Sequence, residues 1–301
     1  MSKLSTIVLS ASLITGGLFA GMSLYANKTA EAKVEKAIDA VSDTVKVEYR
    51  SVSVSPLGFD VHIKDVTVSA VDDPTEIAVE KVIIREIDDQ SDFPTVLDAS
   101  LEGMQIAVAD IEDPGVRNLL EQAGHTKMLS LDIDTKYQYK VADRKIRWDK
   151  LNLSADGVGD LDMSFELGNV DWVSHAPESS DAPAAQPVSN DQTIFYHAEI
   201  TYRDQSLAEG LLTAMAAESN QSLSEFKAQM KTNLTQAAQF LISPENTLAT
   251  EALNETMAFL DDPNGFSISA KPRQPVMMSD LMAVENPQDW VSLLNLQFQA
   301  F

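Results

Sequence analysis

The chain contains no cysteine, which excludes a disulfide framework and any thiol chemistry. Cations are scarce: 22 Lys and Arg stand against 46 Asp and Glu, for a formal net charge of −24. So acidic a body is repelled by phosphate, which excludes nucleic acid as a partner. It argues equally against a body lying on an anionic lipid surface. Histidine is rare too, and His62, His125, His175 and His197 share no metal-ligand spacing. There is no Gly-rich phosphate loop, no G-x-S-x-G and no H-E-x-x-H. With so many acids, neighbouring carboxylates are unavoidable and do not define an acid/base pair. Asp156-Gly-Val-Gly-Asp-Leu-Asp162 reads as an acidic turn between strands, since the spacing of a calcium loop is missing. No catalytic residue, metal or cofactor is nominated, and the chain reads as non-enzymatic.

Long apolar runs are lacking as well, with one exception. Leu4–Ala26, LSTIVLSASLITGGLFAGMSLYA, holds 23 residues without a charge between Lys3 and Lys28. A bilayer-spanning helix needs about 20 such residues. A cleaved signal peptide competes with this reading, but its weak basic start and the distant Ala30-Glu-Ala32 favour an uncleaved anchor. Lys28, Lys33 and Lys36 follow the stretch, which taken alone would keep the body inside. The interleaved Glu31 and Glu35, and the very short leading tail, favour export.

Beyond this stretch the hydrophobic period changes twice. Val34, Ile38, Val41 and Val45 recur at helical spacing, as in a stalk. From Lys46 the period drops to two. Val47/Tyr49, Val52/Val54, Phe59/Val61/Ile63 and Val66/Val68 read as half-buried strands, with phase slips at Arg50-Ser51 and Lys64-Asp65 that suggest bulges. Further strands are expected over 76–87, 99–109, 128–141, 145–155 and 161–170. Asp113-Pro114 opens a short helix that Gly124 closes. Ser174–Gln192, rich in Pro, Ala, Ser and acid, reads as a linker or long loop. One more strand is expected over 193–203. Helices follow: one with Leu207, Leu211 and Leu212, a second behind the capping box Ser222-Leu-Ser-Glu225, and a third opened by Ser243-Pro244. Strands over 266–270 and 294–301 complete the pattern, with short helices near 279–284 and 286–294.

A weak anchor, a Lys/Glu helix and VEYRSVSVSPLGFDVHIKDVTVS together resemble the start of AsmA-like proteins and of the related YdgA-like bacterial family. The resemblance covers residues 4–70. It implies an envelope protein with a β-rich groove linked to lipid handling or outer-membrane homeostasis, and it carries no functional residues over. The chain departs from groove-forming members in its length and its helical second half.

The expected fold class is α+β: an N-terminal transmembrane helix, a curved, mostly antiparallel sheet, and C-terminal amphipathic helices packed on it. The expected segments are a membrane anchor (1–26), a stalk helix plus β-rich domain (27–173), a linker (174–192), and a strand plus helical domain (193–301). The expected place is the bacterial inner membrane, single-pass, with the body in the periplasm. The expected work is non-catalytic binding in lipid handling or envelope homeostasis; the alternative is a scaffold or assembly partner of another envelope complex. Phe226, Met230, Leu234, Met257 and Phe266 are the candidate lining of an apolar cleft, because Met-rich apolar surfaces adapt to varied partners and chains. Partners are the membrane through residues 4–26, and a lipid or another envelope protein.

Overall fold

The computed structural model describes residues 27–55, 60–71, 73–88, 94–111, 113–170, 192–241, 247–284 and 287–301. Its strands are β1 (Val45–Glu48), β2 (Ser51–Val54), β3 (Val61–Ala70), β4 (Asp73–Ile87), β5 (Val96–Ala107), β6 (Met128–Lys140), β7 (Lys145–Ala155), β8 (Gly159–Gly168), β9 (Ile194–Asp204), β10 (Gly265–Ala270), β11 (Val276–Met277) and β12 (Leu296–Ala300). Its helices are α1 (Asn27–Val41), α2 (Pro114–Gln122), α3 (Leu207–Glu218), α4 (Leu223–Leu241), α5 (Thr247–Asp261), α6 (Met278–Met282) and α7 (Pro287–Leu294).

All twelve strands belong to one antiparallel sheet, in the order β1-β3-β4-β5-β6-β7-β8-β9-β10-β12. β2 continues the β1 edge along β3, and β11 pairs with the far end of β9. This overturns the expected α+β class. The segment read as a strand plus helical domain contributes β9, β10, β11 and β12 to the same sheet, which runs on through the expected boundary. β8 and β9 flank residues 174–192 and pair directly, Phe165 opposite Ala198. Among the described residues no helix is long and apolar enough to cross a membrane, so the expected transmembrane helix has no counterpart there. Residues 1–26, on which that expectation fell, lie outside the described residues, as do most of the expected linker and the Ser243-Pro244 helix start.

Register explains how one sheet acquires two unlike faces. Side chains alternate along a strand, so residues paired in register share a face. One such row runs Val54, Val61, Ile84, Ala99, Thr135, Leu151, Met163, Ile200, Ile268, Phe298 across ten strands. A parallel row runs Val52, Ile63, Val82, Leu101, Ile133, Leu153, Leu161, Tyr202, Phe266, Ala300. These rows make one apolar face. The opposite face carries charges in cross-strand pairs. Asp98 binds Lys136 at 2.8 Å and Arg85 at 3.2 Å, Lys150 reaches Asp134 at 3.0 Å, and Arg203 meets Asp162. Such exposed pairs are each worth about 0–1 kcal/mol, so they set the face rather than the stability. Burial pushes the Asp134 carboxyl up, but the Ser100 hydroxyl, Lys150 and Arg85 outweigh it and hold the group below the ordinary value.

The slips expected at Arg50-Ser51 and Lys64-Asp65 are interruptions without a change of register. β1 ends at Glu48 and β2 opens at Ser51 along the same ladder of β3, and Asp65, at φ 51°, has no β4 partner while Lys64↔Lys81 and Val66↔Val79 keep one register. The β3–β4 register shifts instead between Val68 and Ala70. In β5 the register shifts between Leu101 and Met104. Gly103 takes φ 66° there, and its N–H donates to Asp132 at 2.7 Å. A side chain on Gly103 would meet Glu80 Cβ at 2.9 Å. Further shifts in β6, β7 and β8 repeat the device. Each bulge bends its strand and raises the local twist.

The core sits under the first half of the sheet. Val34 of α1 is fully buried, and Ala30 sinks beside it. Leu120 of α2 joins the same core, with Leu207 of α3 packed against it. Asp113 caps α2, accepting from Gly115 at 2.7 Å and Val116 at 3.0 Å. Asp204 anchors the start of α3, accepting from Ser206 N–H and Ala208 N–H, each at 2.9 Å. The capping box of α4 closes in both directions: Ser222 N–H donates to Glu225 at 3.0 Å, and Glu225 N–H to Ser222 Oγ at 3.3 Å.

Two tyrosines on the apolar face set an alkaline limit. The Tyr137 hydroxyl donates to Pro94 O at 3.0 Å, and that of Tyr202 to Asp204 at 2.6 Å. Burial pushes both phenols well above the ordinary value, with Asp88 adding to it at Tyr137 and Asp204 at Tyr202. A raised folded value means the stabilisation is complete below the unfolded value, about pH 10, and is lost as pH rises towards the folded value. We expect stability to fall from about pH 10 upward. In a spectrophotometric titration these two phenols should ionise only with unfolding; ionisation of all six tyrosines in one reversible step on the folded chain would refute this.

Candidate functional site

The long apolar row changes character along its length. Val61 and Ile84 are 0% exposed, and Thr135 6%. The Thr135 hydroxyl accepts the Trp148 indole N–H at 3.0 Å, so the one polar member of the row is satisfied. From β7 onward the burial is incomplete. Leu151 and Met163 are half-buried, and Ile200 is 38% exposed. The second row behaves alike, with Leu153 and Leu161 half-buried. Trp148 packs between Tyr137 (4.9 Å between ring centroids) and Phe165 (5.4 Å), at the border between the closed and open halves. Thus β7–β9 present an apolar strip that the rest of the described chain leaves partly uncovered.

The strip ends in a pocket of about 290 Å³ between α5 and the strands β10 and β12. Ala252 and Phe259 of α5, Phe266 and Ile268 of β10, and Phe298 of β12 supply its apolar wall. Phe266 stands at the centre, 5.6 Å from the Tyr202 ring and 5.9 Å edge-on from the Phe259 ring. Four polar residues share the lining: Glu255, Thr256, Ser267 and Gln299. Glu255 accepts the Ala300 N–H at 2.6 Å, and the Thr256 hydroxyl donates to its own helix at Ala252 O, 2.7 Å. Most of what remains to a ligand is hydrocarbon and ring surface.

Gly159 lets β9 come close where β8 meets it. It takes φ 149°, and a Cβ there would press on Tyr202 Cε2 at 2.8 Å and collide with Arg203 O.

Other depressions are chemically different. One of about 480 Å³ on the charged face is lined by Ser53, His62, Lys64, Asp65, Glu80 and Lys81. Lys81 is committed to Glu102 at 3.1 Å, and Asp65 to Arg50 at 3.2 Å. Another of about 600 Å³ lies where α1 meets β1, between Ile38, Val47 and Val71. Among the described residues no group of three or more His, Asp or Glu could hold a metal. His125 keeps a buried Nε2 without a hydrogen-bond partner, beside Gly157, away from these depressions.

Of the five lining residues expected from sequence, Phe266 is in the pocket. Met257 is half-buried on α5 but not on the lining. Phe226, Met230 and Leu234 are half-buried on α4, which α5 meets through Lys231–Asp261 and through Lys227 Nζ to Asp261 O at 3.3 Å. None of these three reaches the pocket wall. Ile268 and Phe298 were missed, although each alternates in phase with a named neighbour, Ile268 with Phe266 and Phe298 with Leu296. Leu151, Met163 and Ile200 carry no local mark; only register joins them.

Residues 152–301 match the model of a family described as "Uncharacterized protein". The match begins within β7 and runs through β12, so it takes in the open strip and the pocket. Comparison with curated proteins finds no match.

Proposed function

We propose that this protein binds a slender apolar ligand, such as a single lipid acyl chain, along the β7–β10 strip and in the α5 pocket, without catalysis. The carrying observation is the register row that leaves its core at β7, is apolar and partly uncovered from there to β9, and ends in an apolar pocket. Small-molecule sites commonly span about 300–1,000 Å³. At about 290 Å³ the pocket suits one chain or a small ring rather than a bulky ligand, and the strip offers room for the remainder. The uncharged stretch 4–26, the acidic body and the resemblance to AsmA-like and YdgA-like proteins support a place in lipid handling or envelope homeostasis of a bacterium, with membrane contact through 4–26 and the body in the periplasm.

Native mass spectrometry of the full chain, released from detergent after expression in a bacterial envelope, tests this. Retained phospholipid or fatty acid is the expected result. A bare chain mass, with no uptake of a neutral apolar dye, would sink the reading.

A second reading, a scaffold for another envelope protein, rests on a different feature. Val116 (46%) and Leu119 (47%) of α2 and Met215 (44%) of α3 are apolar and exposed. A stoichiometric partner that copurifies and is lost on Leu119→Lys would favour it.

A further inference from the structure

Charge is distributed unevenly around the pocket between α5, β10 and β12. None of its ten lining residues is Lys, Arg or His, and one, Glu255, is an acid. The cations of the neighbouring strands are committed to the opposite face of the sheet. Arg203 meets Asp162 there, and Lys271 reaches Glu199 at 2.8 Å. Lys231 of α4 is paired with Asp261. A carboxylate-headed ligand would meet a like charge in the pocket and no cation on its lining.

Glu255 is held in place with capacity to spare. Its Oε2 accepts the Ala300 N–H at 2.6 Å. An ionised carboxylate offers about four lone-pair sites, so Oε1 can still receive a donor or a cation. Ring surface lies beside it. Phe259, Phe266 and Phe298 belong to the same wall, with Phe259 edge-on to Phe266 at 5.9 Å. Aromatic faces attract cations, most strongly where water is excluded. A charge taken out of water needs a partner, and here the carboxylate is one.

We propose that this pocket receives the ammonium head of a single-chain amphiphile, whose hydrocarbon lies along the β7–β9 strip. The inference rests on the apolar-ligand reading above and narrows it. Among ligands with one chain, those bearing an organic ammonium are taken in preference to alcohols, and fatty acids are refused. The positive charge meets Glu255, and the carbon groups around the nitrogen meet the three phenylalanine rings. Rings with a carboxylate among them suit a weakly hydrated cation of this kind.

Three short probes share one chain and differ in the charge of the head: hexyltrimethylammonium, hexanol and hexanoate. Each is titrated calorimetrically into the full chain in a non-ionic detergent, with protein-free detergent as the blank. Salt at about 0.15 M screens exposed charges beyond about 8 Å. Hexyltrimethylammonium should bind about tenfold tighter than hexanol, and hexanoate more weakly than either. Glu255→Gln keeps an acceptor for the Ala300 N–H and should bring the first two probes level. Phe298→Leu keeps hydrocarbon but removes a ring, and should lower the preference to about threefold. Glu31→Gln, on α1 at the other edge of the sheet, should leave the preference in place. A preference that survives Glu255→Gln, or that Glu31→Gln lowers equally, would belong to the net charge of −24 and overturns the proposal. So does hexanoate binding as tightly as hexyltrimethylammonium. Equal binding of hexanol and hexyltrimethylammonium would leave the apolar-ligand reading standing and sink this one; no binding of any probe would end both. Far-UV circular dichroism checks the fold. If Glu255→Gln unfolds, Phe298→Leu carries the test, and an unchanged preference there overturns the proposal.

Discussion

Ile84→Ala is expected to lower the unfolding free energy by about 2–5 kcal/mol, the usual cost of truncating a buried Leu, Ile or Met side chain. Ile84 is 0% exposed and lies between Val61 and Ala99 in the most enclosed part of the apolar face. Close-packed surroundings leave it little room to collapse into the hole. A domain is stable by only about 5–15 kcal/mol, so this single change removes a large share. Met163→Ala, four strands along the same row, should cost about 1 kcal/mol or less, because its side chain is still partly exposed. Denaturant melts of the two variants, compared at constant slope, check the contrast. Equal losses would mean that the β7–β9 strip is covered in solution.

Ile200→Asp should weaken binding of a neutral apolar probe by about tenfold or more, with a loss of stability of about 1–2 kcal/mol. Fully burying an isoleucine side chain is worth about 1.5–3 kcal/mol; Ile200 is 38% exposed, so an occupant gains only the share that is still uncovered. The carboxylate adds a desolvation cost of about 1–3 kcal/mol to any apolar occupant, and every 1.4 kcal/mol is about a factor of ten in affinity. The control is Thr201→Asp, one residue along and on the opposite face of β9. It should leave binding as it was. Equal effects of the two changes would remove the strip from the binding site.

Individual elements were largely legible in the sequence. Period-two alternation marked β3, β6, β7 and β9, and short-range cap chemistry marked Asp113-Pro114 and Ser222–Glu225. These signals are local: a strand's alternation and a helix's first turn are decided within a few residues. The candidate site was legible only at Phe266. Helical Met and Phe residues such as Met230 and Phe226 look like a binding lining because they are apolar and adaptable, yet they lie half-buried on α4. The pocket closes only when distant strands meet: Ile268 and Phe298 are 30 positions apart and are joined through one register.

The sequence by itself determined the location of most strands and helices, the neutral character of residues 290–301 and, since there is no cysteine, the exclusion of thiol chemistry. Those follow from composition and from periods shorter than a turn or two of chain. Tertiary structure alone decided that one antiparallel sheet runs through the expected domain boundary, that its apolar face is closed at Ile84 and partly open at Ile200, and that Glu255 reaches the edge of β12. Pairing register joins residues far apart in the chain, and whether a side chain is covered depends on which element packs over it, a choice that no local period records.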